Sequence, residues 1–138
     1  DSLKKFRGVK RRMDLVADIS NIKVYDDFAH HPTAIKMSSN SIKDKYPTKK
    51  ILGIVELGSN TMSSGYHKDN LIESLKILDK TLLLDINNAY DYLNVFDSEE
   101  KMLDCIRTEI LEYDIILIMT NKDSQKFIKP ILDSLENK

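Results

Sequence analysis

Apolar positions fall into short blocks along the chain, and their spacing changes from block to block. Residues Arg12 to Ala17 and Ile22 to Asp26 carry apolar side chains at alternating or adjacent positions, with the polar cluster Asp18-Ile19-Ser20-Asn21 between them. Such runs predict two strands joined by a tight reversal. Pro32 suits the first turn of a helix, and Ala34, Ile35, Met37, Ile42 and Tyr46 follow at helical spacing until Pro47 stops the run. Ile51 to Val55 is too short for a helix and rich in β-branched residues, so it predicts a buried strand. Asn70 to Leu78 predicts an amphipathic helix and Thr81 to Leu84 another strand. Ser98 followed by Glu99 and Glu100 predicts a helix N-cap with acids in the first turn, and Met102, Leu103, Ile106, Ile110 and Leu111 supply that helix's buried stripe. Asp114 to Met119 is the most apolar strand, and a last helix is predicted from Ser124 to Glu136.

Two strands followed by alternating helix and strand predict an α/β fold. The expectation is a Rossmann-like three-layer domain with a mostly parallel sheet, helices on both faces and an N-terminal β-hairpin. In such sheets ligands gather beyond the carboxyl ends of the strands, which directs attention to Asp26, Glu56, Asp85, Thr120 and the residues that follow each.

Composition narrows the picture. A chain of 138 residues with 41% hydrophobic content fits one domain, residues 1–138, with a core that needs no staples. The one cysteine, Cys105, lies on the stripe with Leu103, Ile106 and Ile110, so it reads as a core side chain and leaves no disulfide possible within the chain. A net charge of −1 gives the molecule as a whole no electrostatic reason to seek nucleic acid or an anionic membrane. The opening run is the exception: Lys4, Lys5, Arg7, Lys10, Arg11 and Arg12 concentrate enough positive charge to hold a phosphate. No apolar stretch approaches the roughly 20 residues of a membrane span and no signal-peptide pattern opens the chain, so a cytoplasmic location is expected. Asp1 in place of Met suggests excision from a longer chain.

The densest chemistry is Tyr25-Asp26-Asp27-Phe28-Ala29-His30-His31-Pro32-Thr33, where carboxylates, imidazoles and a hydroxyl meet at a strand end that runs into a helix start. A metal site is one reading, but adjacent His30 and His31 on an irregular turn need not point the same way, and His67 is the only other histidine. No metal is therefore expected. Local capping, with Asp27 or His31 taking free NH groups of the helix start, is another reading. Neither a Walker-type loop nor GxGxxG, GxSxG or CxxC occurs, so the chain alone lacks the usual means of cradling a triphosphate.

Three segments carry a family resemblance. Gly8-Val9-Lys10-Arg11-Arg12-Met13, then Val24-Tyr25-Asp26-Asp27-Phe28-Ala29-His30-His31-Pro32-Thr33-Ala34-Ile35, then Ser59-Asn60-Thr61-Met62 with Gly65 beyond, resemble the C-terminal domain of Mur ligases, in order and over essentially the whole chain. The second and third resemble the branch that transfers a whole tripeptide more than the alanine-adding branch. The resemblance implies a three-domain enzyme in which an N-terminal domain binds the UDP-sugar, a central domain holds ATP and Mg2+, and this domain closes over both. It further implies ATP-dependent amide formation between UDP-N-acetylmuramate and L-alanyl-γ-D-glutamyl-meso-diaminopimelate in peptidoglycan recycling, with the isolated domain inactive. By the same resemblance Arg12 reaches toward ATP, Asp27 contacts the nucleotide at its ribose hydroxyls, and His30 and His31 face the reaction centre. The resemblance also implies that Ser59, Asn60, Thr61, Thr120 and Asn121 border the peptide substrate.

The sequence departs from the family pattern twice. Glu56-Leu57-Gly58 stands where a Glu-Pro-Arg is usual, so a positive charge is missing, and Lys122-Asp123-Ser124-Gln125 replaces a glycine-rich turn. Lys122 is one candidate to restore the charge. Two other identities stay open at this point: a domain of the alanine-adding ligase, and a non-catalytic α/β binding module.

Overall fold

The computed structural model describes residues 12–56, 68–85 and 95–137. Along the chain these form β1 (Asp14–Ile19), β2 (Ile22–Asp27), α1 (Pro32–Lys45), β3 (Ile51–Glu56), α2 (Lys68–Leu75), β4 (Lys80–Leu84), β5 (Val95–Phe96), α3 (Glu99–Glu109), a 3-10 turn (Ile110–Glu112), β6 (Ile115–Met119) and α4 (Gln125–Glu136). The strands make one sheet in the order β1-β2-β6-β3-β4-β5. The β1 and β2 strands pair antiparallel, and every other neighbouring pair is parallel. The expected α/β fold with an N-terminal hairpin is thus the observed one.

The hairpin turn is shorter than the polar cluster suggested. Only Ser20 and Asn21 lie outside the strands, both at positive φ (56° and 67°). A two-residue reversal of that kind matches the right-handed twist of the paired strands. Leu78 also departs from expectation, because α2 ends at Leu75, although Leu78 is still buried and its N–H still reaches Leu75 O at 3.1 Å. The apolar pattern thus outlasts the helical backbone. Gly53, inside β3, is what lets Leu78 approach: a Cβ there would lie 2.7 Å from Leu78 Cδ1.

Strand periodicity sorts the core into two halves. Ile22, Val24, Leu52, Ile54, Leu82, Leu84, Ile116 and Ile118 pack with α3 and α4 residues such as Met102, Ile106, Phe127 and Ile131. Their neighbours Tyr25, Ile51, Val55, Leu83, Ile115, Leu117 and Met119 pack with Ile35 and Ile42 of α1 and Leu71 and Leu75 of α2. The connections β2-α1-β3 and β3-α2-β4 step one way across the sheet and β5-α3-β6 steps back, so crossovers of one hand place α3 on the opposite face. Among the described residues, no helix is long and apolar enough to cross a membrane.

Helix α1 is also tied to β2 at its far end, where Tyr25 OH and Tyr46 OH lie 2.5 Å apart. Burial first, then the hydrogen bond to Tyr46, pushes the Tyr25 phenol up to about 12. An unfolded tyrosine ionises near pH 10, so above that pH unfolding releases a proton that the native state retains. The stabilisation is therefore fully present below about pH 10 and is lost as pH rises toward 12. Tyr25→Phe is expected to flatten the decline of unfolding free energy between these limits, measured by urea denaturation across an alkaline series; an unchanged slope would remove the pair as its cause.

Candidate functional site

The polar residues collect where the parallel strands β2, β6 and β3 end. This is where helix direction switches, because the chain leaves β2 and β3 for one face and β6 for the other. Ligand crevices form at such switch points. Period-two geometry then divides the cluster between the two faces.

On the α3/α4 face, Asp26, Glu56 and Thr120 continue the registers of Val24, Ile54 and Ile118. Ser124 Oγ donates to Asp26 Oδ2 at 2.9 Å, and Thr120 Oγ1 donates to Glu56 Oε1 at 2.8 Å. Lys126 Nζ, in the first turn of α4, reaches Glu56 Oε2 at 2.5 Å and Glu99 Oε2, in the first turn of α3, at 3.2 Å. Burial alone would lower the Lys126 pKa, but the hydrogen bond and charge of Glu56, then those of Glu99, outweigh it and raise the value. The site has a fixed cation here.

On the α1 face lies Asp27, one residue from Asp26 and pointing the other way. It is 4% exposed, and Ser38 Oγ of α1 donates to its Oδ2. Asp27 lines a cleft of about 470 Å³ together with Arg12, Phe28, His30, Met37 and Ser38. His30 Nδ1 lies 3.0 Å from Phe28 O. A carbonyl only accepts, so Nδ1 carries the proton and Nε2 of the neutral ring is left as the acceptor. The ring also meets Phe28 edge-on, with centroids 5.3 Å apart.

Of the residues singled out from sequence, Arg12, Asp27 and His30 therefore come together on one cleft. His31 lies beside it, exposed, as the N-cap residue of α1, and its side chain makes no capping hydrogen bond. Asp27 likewise bonds Ser38, not the helix start, so local capping does not account for the dense window. Thr120 is on the other face and fully buried, its hydroxyl bonded to Glu56 and accepting from Lys122 N at 3.0 Å. As placed its hydroxyl holds Glu56, and half-buried Asn121 follows it in the chain. Ser59, Asn60 and Thr61, with Leu57 and Gly58, lie outside the described residues. The cation that meets Glu56 is Lys126; Lys122 is exposed, and its backbone N–H makes the contact at this turn. Neither Lys126 nor Ser38 was singled out from sequence. A hint existed for Lys126, since a lysine in the first turn of a helix opposes the helix dipole and needs compensation.

A mostly parallel sheet with a polar switch point, beside a cleft carrying a carboxylate, an arginine and an imidazole, defines a Rossmann-like α/β domain. Residues 11–122 match the family model described as Mur ligase, glutamate ligase domain, and the chain belongs to the Mur ligase family. It is 33% identical to the UDP-N-acetylmuramate–L-alanyl-γ-D-glutamyl-meso-2,6-diaminoheptandioate ligase of Haemophilus influenzae, an alignment that covers 99% of this chain and 33% of that protein. The crystal structure of a murein peptide ligase from Psychrobacter arcticus superposes with a TM-score of 0.75 at 33% identity, over 94% of this chain and 30% of that one. A crystallised domain from a putative ligase of the same tripeptide type from Haemophilus ducreyi gives 0.70 at 26% identity, over 89% of this chain and 99% of that one. The chain thus spans about a third of the length of the first relative and nearly all of a domain crystallised by itself.

Proposed function

We propose that this chain is the closing domain of an ATP-dependent ligase that joins L-alanyl-γ-D-glutamyl-meso-diaminopimelate to UDP-N-acetylmuramate. The observation that carries the reading is similarity to a ligase of that description over 99% of the chain. Further N-terminal and central domains bind the UDP-sugar and the ATP phosphates with Mg2+, and this domain alone does not turn over.

The α1-side cleft suits a nucleotide. Arg12 supplies a guanidinium for phosphate oxygens, Asp27 a carboxylate for ribose hydroxyls, and Met13, Ala29, Ala34 and Met37 an apolar wall. In the reaction the sugar carboxylate takes the γ-phosphoryl group of ATP and ADP leaves. The peptide amine then attacks the acyl carbon, phosphate departs and the amine gives up a proton. His30 Nε2 is available as its acceptor, with His31 beside it. Domain closure keeps water from the acyl phosphate while the amine is placed. The amine side of the site comprises Ser59, Asn60 and Thr61 with the turn at Thr120 and Asn121, where Thr120 acts through Glu56.

The deciding assay is ATP hydrolysis by the full-length protein with UDP-N-acetylmuramate, comparing added tripeptide with L-alanine. Stimulation by tripeptide alone is expected. Stimulation by alanine would move the protein to the alanine-adding branch, and no stimulation by either would overturn the ligase reading.

A further inference from the structure

Asp27 is held by a side chain that the nucleotide reading does not use. Its backbone is fixed in the β2–β6 ladder, where Asp27 O accepts from Thr120 N at 3.2 Å. The carboxyl group would otherwise be free to rotate about its own bonds. Ser38 Oγ stops that rotation by donating to Oδ2, while Oδ1 is engaged by no other described residue. Asp27 and Ser38 both line the cleft.

The donor itself sits on a rigid support. Ser38 is three residues beyond Ile35 and four before Ile42, both fully buried, so it rides on the flank of the stripe that α1 presses against the sheet. Pro32 starts the helix and its carbonyl accepts from buried Ser74 Oγ at 2.9 Å. Tyr46, just past the other end, bonds Tyr25 of β2. Helix α1 is therefore tied down before, at and after Ser38.

We propose that Ser38 is a positioning residue for nucleotide binding: it takes one oxygen of Asp27 and presents the other to a ribose hydroxyl. The proposal rests on the nucleotide reading of the cleft and deepens it. A carboxylate with one oxygen already pinned loses less freedom when it takes a ligand, so the gain appears in nucleotide affinity and not in the chemical step.

The test uses the full-length protein and compares Ser38→Thr with Ser38→Val. The two side chains share a shape and differ in the hydroxyl, so packing effects cancel between them. Relative to Ser38→Thr, Ser38→Val is expected to raise the KM for ATP about tenfold, on the order of one charge-assisted hydrogen bond, with kcat within about twofold. In an Asp27→Asn background the same pair should differ far less, because the positioned carboxylate is gone. Equal KM values for the Thr and Val variants, or a difference that persists undiminished in the Asp27→Asn background, would overturn the role of Ser38. An Asp27→Asn variant with normal ATP KM would overturn the nucleotide reading of the cleft and this proposal with it. The tripeptide assay tests substrate identity separately.

Discussion

Lys126→Met is expected to lower the unfolding free energy by about 3 kcal/mol, the low end of the range for leaving one half of a buried ion pair behind. Glu56 is the half that stays. Its side chain is 4% exposed, while that of Lys126 is 23% exposed. Two features hold the loss at the low end: Thr120 still donates to Oε1, and Glu99, 46% exposed, contributes a screened contact. Removing a cation from the first turn of α4 also relieves roughly 0.3–1 kcal/mol of helix-dipole penalty. Urea denaturation of the domain measures the difference. The double variant Glu56→Gln, Lys126→Met should recover more than half of the loss, because no charge is then left buried. A single variant as stable as the parent would mean that Glu56 is solvated by other means. The pH dependence follows from the sign of the shift. Lys126 is held protonated above its ordinary 10.5, so its stabilisation is fully present below that pH and is lost only as pH climbs through the raised value. The gap between parent and variant should therefore be flat across neutral pH and close in strong alkali.

The elements were legible because each apolar block stops where the polar residues of the site begin. Asp26, Glu56, Asp85 and Thr120 mark ends of strands for that reason, and three of them join the cluster at the switch point. What the pattern could not convey is which face each side chain serves. In a sheet covered on both sides neither face is polar, so Asp26 and Asp27 read as one acidic pair although they meet Ser124 and Ser38 from opposite layers. Lys126 escaped notice because its partner Glu56 lies 70 positions away and is brought near only by the β3–β6 pairing. Val95–Phe96 was missed because two residues are too few to show a period. The roles of His30 and His31 came from resemblance alone, and the turn that separates them, with one ring on the cleft and the other at the helix cap, has no counterpart in a spacing rule.

Ile116→Ala is expected to lower the unfolding free energy by about 2–5 kcal/mol, and Ile116→Val by about 0.5–1.5 kcal/mol. Ile116 is fully buried near the start of β6, in register with Val24 on one side and Leu52 on the other. All three belong to the core half closed by α3 and α4, where Phe127 and Ile131 leave little freedom to collapse into the space of the lost atoms. The position also tests how the site is built. Strand β6 is the spacer between β2, which ends at Asp27, and β3, which ends at Glu56, so its backbone pairing sets the separation of the two halves. That pairing uses main-chain groups and does not need the Ile116 side chain. The Val variant should therefore keep the parent's ATP KM and turnover per folded molecule, and the Ala variant should do so wherever thermal melts show it fully folded. A raised KM in a fully folded Ile116 variant would mean that packing on the α3/α4 face reaches the α1-side cleft through the sheet. In that case the two faces would act as one unit, and the division of the site between them would be one of geometry only.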